Sequence, residues 1–218
     1  MEKKRDIIEL RQLLEARFPG TPALRQKSPE ATCTILERSF SLERGVVTEL
    51  VSAVGSGGLF LDRMLAATRN EKSFAALIDP SRSFDPDSYS PETLRRLLCV
   101  FCPTPEKAVK AADLLLRDGN VPLVLLDFQM APVRAIGQLP ANIWHRFQRL
   151  VENNGTALVV LTPRPMIEAA RVRLVVRNTW NLAALRRLRR DLQEEIDWHV
   201  FDRRRGMVAT REVLQRTA

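Results

Sequence analysis

Histidine, cysteine and long apolar runs are scarce in this 218-residue chain, and each scarcity removes a class of function. The two histidines, His145 and His199, are too few and too far apart in sequence to suggest a metal site or a nucleophile relay. The three cysteines, Cys33, Cys99 and Cys102, fit a reducing compartment as free thiols. Cys99 and Cys102 form a CVFC pair, but the residues between them are apolar and zinc would need two further ligands. They read as core thiols. No apolar run reaches the ~18 residues of a membrane span. The start, Met1 to Glu9, is charged and lacks the apolar centre of a secretory signal. These absences predict a cytoplasmic protein with no membrane partner. There is no internal repeat and no low-complexity stretch.

What is present is a globular composition, with 45% apolar and 28% charged residues, which argues against disorder. The length allows one sizeable domain with appendages. The net charge is +8, and it is uneven. From Ala169 to Ala218 there are twelve Arg against six Asp and Glu, so +6 of the excess lies in the last quarter. That asymmetry suits an anionic partner, either nucleic acid or an acidic protein face, and equally a solvated surface.

Periodicity predicts a helix over Ile7 to Arg17, stopped by Pro19 to Pro22, and then a connector from Arg25 to Phe40. A regular alternation follows. Strands are expected at Val46 to Ser52, Phe74 to Ile78, Leu98 to Phe101, Leu123 to Leu126 and Ala157 to Leu161. A turn is expected at Gly55 to Gly58. Helices are expected at Leu59 to Ala67, Pro91 to Leu97, Thr104 to Arg117 and Ala141 to Glu152, the last two closed by Gly119 and Gly155. Such alternation predicts an α/β fold with a mostly parallel sheet covered by helices on both faces. Arg171 to Arg177 partly alternates, as an antiparallel or edge strand would. Leu182 to Ile196 reads as one amphipathic helix with Leu182, Leu185, Leu188, Leu192 and Ile196 on its apolar stripe. Trp198 to Phe201 and Met207 to Thr210 read as a hairpin.

In such a sheet, ligands bind beyond the carboxyl ends of the strands. The first strand of the alternation runs into SAVGSGGL and then a helix, the position of a phosphate-binding loop. That loop needs glycines to bring backbone N–H groups to phosphate, a Lys for the outer phosphates and a Ser or Thr hydroxyl for magnesium. Gly55, Gly57 and Gly58 supply the glycines, with Ser56 between them. Gly58 stands where the Lys belongs and Leu59 where the hydroxyl belongs. The turn could hold an anion weakly at a helix N-terminus, or simply be a tight strand-to-helix turn. Ser56 is not a nucleophile elbow, because Val54 stands where GxSxG needs glycine.

Taken in order, the segments resemble the RecA core. RGVVTELVSAVGSGGLFL is similar to the stretch around its phosphate loop, and FAALIDPSRSFDP to the strand and loop that follow. LRRLLCVFCPTPEKAVKAADLLLRDGNVPLVLLDF is similar to the next strand, helix and Walker B strand. TALVVLTPRP and ARVRLVVR resemble the strands on either side of the second DNA-binding loop. The resemblance covers Arg44 to Arg177. It implies a fold in three parts: an N-terminal helix and connector at 1–40, a degenerate core at 41–178, and a basic extension at 179–218.

Against that pattern the catalytic glutamate is replaced by Ser81, and the glutamine that senses the γ-phosphate by Pro163. Asp127 remains at the Walker B position but is followed by Phe128. The first DNA loop shrinks to about Gln129 to Pro140, and the second is nearly absent. Lysine, magnesium hydroxyl, base and sensor are all missing, which implies no hydrolysis and no cofactor. Gly55, Ser56, Gly57, Gly58 and Asp127 are then remnants of a nucleotide site.

Among non-catalytic RecA relatives the chain is most similar to the ImuA family, accessory proteins of the bacterial inducible mutagenesis cassette. That resemblance implies a role in the DNA-damage (SOS) response, in translesion synthesis, with an ImuB-like Y-family polymerase relative or RecA as partner. The alternatives are a SulA-like division inhibitor that binds FtsZ, whose family is shorter and lacks a basic arm, and a DNA-binding RecA paralogue. Trp180, Arg186, Arg187, Arg190, Trp198, Arg203, Arg204 and Arg205 are the candidate contacts for a partner or for DNA. Ordinary solvated arginines on a packed helix remain the plain alternative. The helix at Ile7 to Arg17 would serve self-association or fold back on the core.

Overall fold

The computed structural model describes residues 33–36, 40–52, 56–178, 180–204 and 206–211. The expected helix at Ile7 to Arg17 lies outside the described residues. Within the expected connector, β1 (Cys33–Leu36) and β2 (Phe40–Leu42) instead pair antiparallel as a small separate sheet.

The rest alternates as expected: β3 (Val47–Val51), α1 (Ser56–Asn70), β4 (Ala75–Asp79), α2 (Pro91–Leu94), β5 (Leu97–Phe101), α3 (Pro105–Asp118) and β6 (Leu123–Asp127). Then come α4 (Val133–Gly137), α5 (Asn142–Asn154), β7 (Ala157–Thr162), β8 (Val172–Val176), α6 (Arg189–Glu194), β9 (Trp198–Asp202) and β10 (Gly206–Arg211). Eight strands form one sheet in the order β10-β9-β8-β3-β7-β6-β4-β5. The six from β8 to β5 are parallel, and β9 and β10 are antiparallel. This is the α/β architecture the alternation predicted.

The apolar runs explain the central strands. Every residue of β3, β4, β6 and β7 is buried. Neighbours in a strand point to opposite faces, so each run feeds two cores. Leu77, Leu125 and Val159 face α1, where Phe60, Met64 and Leu65 are each 1% exposed. Ile78, Val124, Leu126 and Leu158 face α3 and α5, against Ala108, Ala112, Phe147 and Val151. Cutting Phe60 or Phe147 to Ala would cost about 3–5 kcal/mol by this packing. Gly119 (φ 70°) and Gly155 (φ 73°) end α3 and α5 in the left-handed conformation, as the sequence predicted.

Three expectations are corrected. First, α1 begins at Ser56, so Gly57 and Gly58 belong to its first turn rather than to a preceding loop. Second, β8 is no edge strand. It pairs with β3 on one side and β9 on the other, and its alternation reflects strand faces of unequal cover. Third, Leu182 to Ile196 is not one helix. A 3-10 turn at Leu182–Arg186 is separated from α6 by an extended Leu188 (φ −68°, ψ 139°), and Leu188 is 57% exposed. The break turns α6 onto α1. There Gln193 donates to the Leu59 carbonyl at 3.2 Å and to Asp62 at 2.8 Å, and Arg189 pairs with Asp62 at 3.1 Å. These tertiary bonds outweigh helical periodicity. The hairpin forms as expected, and β9 and β10 extend the main sheet rather than standing apart from it. Among the described residues no helix is long and apolar enough to cross a membrane.

Candidate functional site

Where β4 sends the chain outward to β5 while β6 lies on its other side, the connections diverge and leave a crevice beyond the carboxyl ends. A cavity of about 320 Å³ lies there. It is lined by the first turn of α1 (Gly58, Leu59, Leu61), the segment after β4 (Ser83, Phe84, Asp85, Ser88, Tyr89), the end of β6 (Asp127, Gln129, Met130), and Arg189.

Each wall is fixed from within. Asp79, 1% exposed, accepts the amides of Ser81 and Phe84, both at 2.8 Å, and folds the 80–84 loop around itself. Phe84 then stacks on Tyr89 with ring centroids 5.0 Å apart. Burial pushes the Tyr89 phenol up to about 12, against the pull of the Arg189 guanidinium. That guanidinium lies 5.3 Å above the Tyr89 ring.

Asp127 is 7% exposed, and its Oδ1 accepts the Gln129 amide at 2.9 Å. Burial raises its carboxyl to about 6; the Gln129 amide opposes the rise and the nearby Asp79 adds to it. Gln129 was read only as the start of a shortened loop. Its side chain reaches back to Ser52, donating to Oγ, and its amide group lies where a Cβ on residue 57 would go. Gly57 is therefore glycine because Gln129 packs on it. Ser56 is buried and donates to the Asn178 carbonyl at 3.2 Å. Gly58 is exposed, and an added Cβ there meets nothing within 4 Å. Gly55 lies outside the described residues.

Among the described residues, the lysine and hydroxyl of a magnesium-nucleotide loop are not present at 58 and 59. Residue 58 has no side chain, Leu59 brings no hydroxyl, and Gln129 fills the space over Gly57. Asp127 and Asp85 both line this cavity, together with Arg189.

The basic candidates are not brought together. Arg203 and Arg204 follow Asp202, which pairs with Val172 at the start of β8. Arg186, Arg187 and Arg190 come after the end of β8, beside α1. The two groups lie at opposite ends of the sheet. Arg186, Arg190, Arg203 and Arg204 are exposed. Arg187 is engaged with both Glu195 oxygens. Arg203 donates to the Glu168 carbonyl, and Arg205 lies outside the described residues. Trp198 is corrected: at 1% exposure it is core, packed with Ile196 and Val200, and cannot stack on a base or anchor a partner. Trp180 is half-buried against the same core. Burial raises both thiols, Cys99 in the middle of β5 to about 11 and Cys102 just beyond the strand.

Glu49 is the residue that sequence reading missed. It is fully buried in β3, where its Oε1 accepts Thr162 Oγ1 (3.0 Å) and the amides of Met166 (2.6 Å) and Ile167 (3.0 Å). Oε2 accepts Arg173 Nε at 2.7 Å. This one carboxylate ties down the segment after β7. Its signal was a lone acid within an apolar strand.

Neither a scan of protein-family models nor a search of curated proteins returned a match for the chain.

Proposed function

We propose that this chain is a non-catalytic RecA-like accessory protein, cytoplasmic, that acts through protein contacts in damage-induced translesion synthesis. The observation that carries the reading is the Gln129 side chain seated on Gly57 and bonded to Ser52, in a site with no lysine at residue 58. That side chain takes the space over Gly57 that a phosphate would need. Without a cation or metal clamp, the electrostatic stabilisation that dominates phosphoryl transfer is missing.

The partner would be an ImuB-like polymerase relative or RecA. Exposed Arg186 and Arg190, with Leu188 between them, offer a mixed basic and apolar contact of the kind interfaces use. The test combines two measurements on the purified chain. Phosphate release from magnesium-ATP is expected at the level of the blank, and pulldown of the polymerase-like partner or RecA is expected to weaken when Arg186 and Arg190 become Glu. ATP turnover that vanishes with Asp127→Asn would overturn the reading. So would capture of FtsZ with no capture of either repair protein. DNA binding with strong salt dependence and no protein partner would shift the role to a DNA-binding paralogue.

A further inference from the structure

Asp127 lines the cavity beyond the strand ends while being 93% withdrawn from solvent. Oδ1 is held by the Gln129 amide, and Oδ2 takes no hydrogen bond from the described residues. The residue is mostly buried but Oδ2 is not sealed from solvent, and a carboxylate so placed is stabilised by a positive or donating partner that enters the cavity. Among the described residues of the cavity wall none supplies one. The cation on that wall, Arg189, is already committed to Asp62 at 3.1 Å and to the Tyr89 ring. A second acid on the wall, Asp85, accepts from the Asp87 amide and Ser88 Oγ. The charge left over in the cavity is negative.

The remaining wall is largely apolar. Leu59, Leu61 and Met130 give it aliphatic surface, while Tyr89 is already stacked on Phe84 and covered by the chain's own Arg189. The volume, about 320 Å³, is that of a small ligand site. Arg189 over Tyr89 shows that this wall accepts a guanidinium.

We propose that the cavity binds a guanidinium or alkylammonium group with Asp127 as its counter-ion, the cation being either a free small molecule or a basic side chain of a bound peptide. This goes beyond the accessory-protein reading and does not depend on it.

Calorimetric titration of the full chain tests it, with agmatine, with the peptide acetyl-Gly-Arg-Gly-amide, and with the same peptide carrying citrulline in place of arginine. Saturable binding of a cationic probe is expected, weakened at least about tenfold for citrulline and by a similar factor in Asp127→Asn. Asn keeps the acceptor for Gln129, and circular dichroism checks that the variant is folded. The citrulline comparison uses the wild-type chain and stands without the variant. Agmatine binding as tightly as the arginine peptide identifies a free cation as the ligand. A peptide about tenfold tighter identifies a side chain. Lack of saturation by either cation up to about 10 mM overturns the proposal. Equal binding of citrulline, undiminished binding by a folded Asp127→Asn, or displacement of agmatine by ATP would do the same.

Discussion

Glu49 and Arg173 are register partners on adjacent parallel strands, β3 and β8, and they meet as an ion pair 2.7 Å apart in the middle of the sheet. The glutamate is fully buried, while the arginine is one-third exposed and also donates to the Ile167 carbonyl. Arg173→Met would leave the carboxylate buried without its cation, although three other donors remain. The expected loss is about 3 kcal/mol, at the lower end for a broken buried pair. Urea unfolding at neutral pH measures it. A loss under about 1 kcal/mol would mean that solvent reaches Glu49 and the pair is worth no more than a surface one.

Two adjacent glycines should respond in opposite directions. Both sit in the first turn of α1. A methyl at residue 57 collides with the Gln129 amide, and a methyl at residue 58 meets open space. Gly57→Ala is therefore expected to force the Gln129 side chain off Ser52, at a cost of about 1 kcal/mol for the lost hydrogen bond. Gly58→Ala is expected to stabilise by about 0.5–1 kcal/mol, the ordinary gain over glycine in a helix. Shortening Gln129 to Ala should remove most of the Gly57→Ala penalty, and a double-mutant cycle by thermal unfolding reads that coupling. Equal effects at 57 and 58 would refute the close contact.

These glycines show where the sequence was legible and where it was not. The apolar strands, the helix ends at Gly119 and Gly155 and the position of Asp127 follow from local pattern, because burial on both sheet faces forces continuous apolar runs. The role of Gly57 depends on Gln129, seventy-two residues away. Glu49 depends on Arg173, 124 residues away. No local periodicity carries such pairings. The extended Leu188 is a similar case. Propensity favours one helix, and bonds from Arg189 and Gln193 to Asp62 win. Trp198 was misread because tryptophan beside arginines suits an interface, while the alternation of β9 turns it to the core.

Asp127 makes stability depend on pH. Burial raises its carboxyl from 3.8 to about 6 in the folded chain. Between those values the folded protein keeps a proton that the unfolded chain has released. Stability therefore falls as pH rises through this window, and above it the full cost of a buried charge is present. Asp127→Asn removes the charge and keeps the acceptor for Gln129. It is expected to be more stable than wild type at pH 8 by about 1–3 kcal/mol, with the difference closing below about pH 4. Denaturant unfolding of both proteins at the two pH values checks the sign. A variant less stable at pH 8 would show that the carboxylate is compensated within the fold.

The filled cradle makes a stronger demand. If missing side chains alone prevented nucleotide binding, then Gly58→Lys with Leu59→Thr would restore it. Residue 58 has room for the lysine. Leu59 is 7% exposed, so the threonine costs about 2 kcal/mol of stability, and melting curves must show the variant folded. The Gln129 amide still lies over Gly57 and on Ser52 in that variant. The double variant is therefore expected to show no affinity for magnesium-ATP. Adding Gln129→Ala should then allow binding, seen as displacement of a fluorescent nucleotide. On the proposed RecA-like reading neither variant turns ATP over, because that reading puts Ser81 at the position of the water-activating carboxylate. Tight nucleotide binding by the double variant with Gln129 intact would show that the side chain moves aside freely and is no barrier.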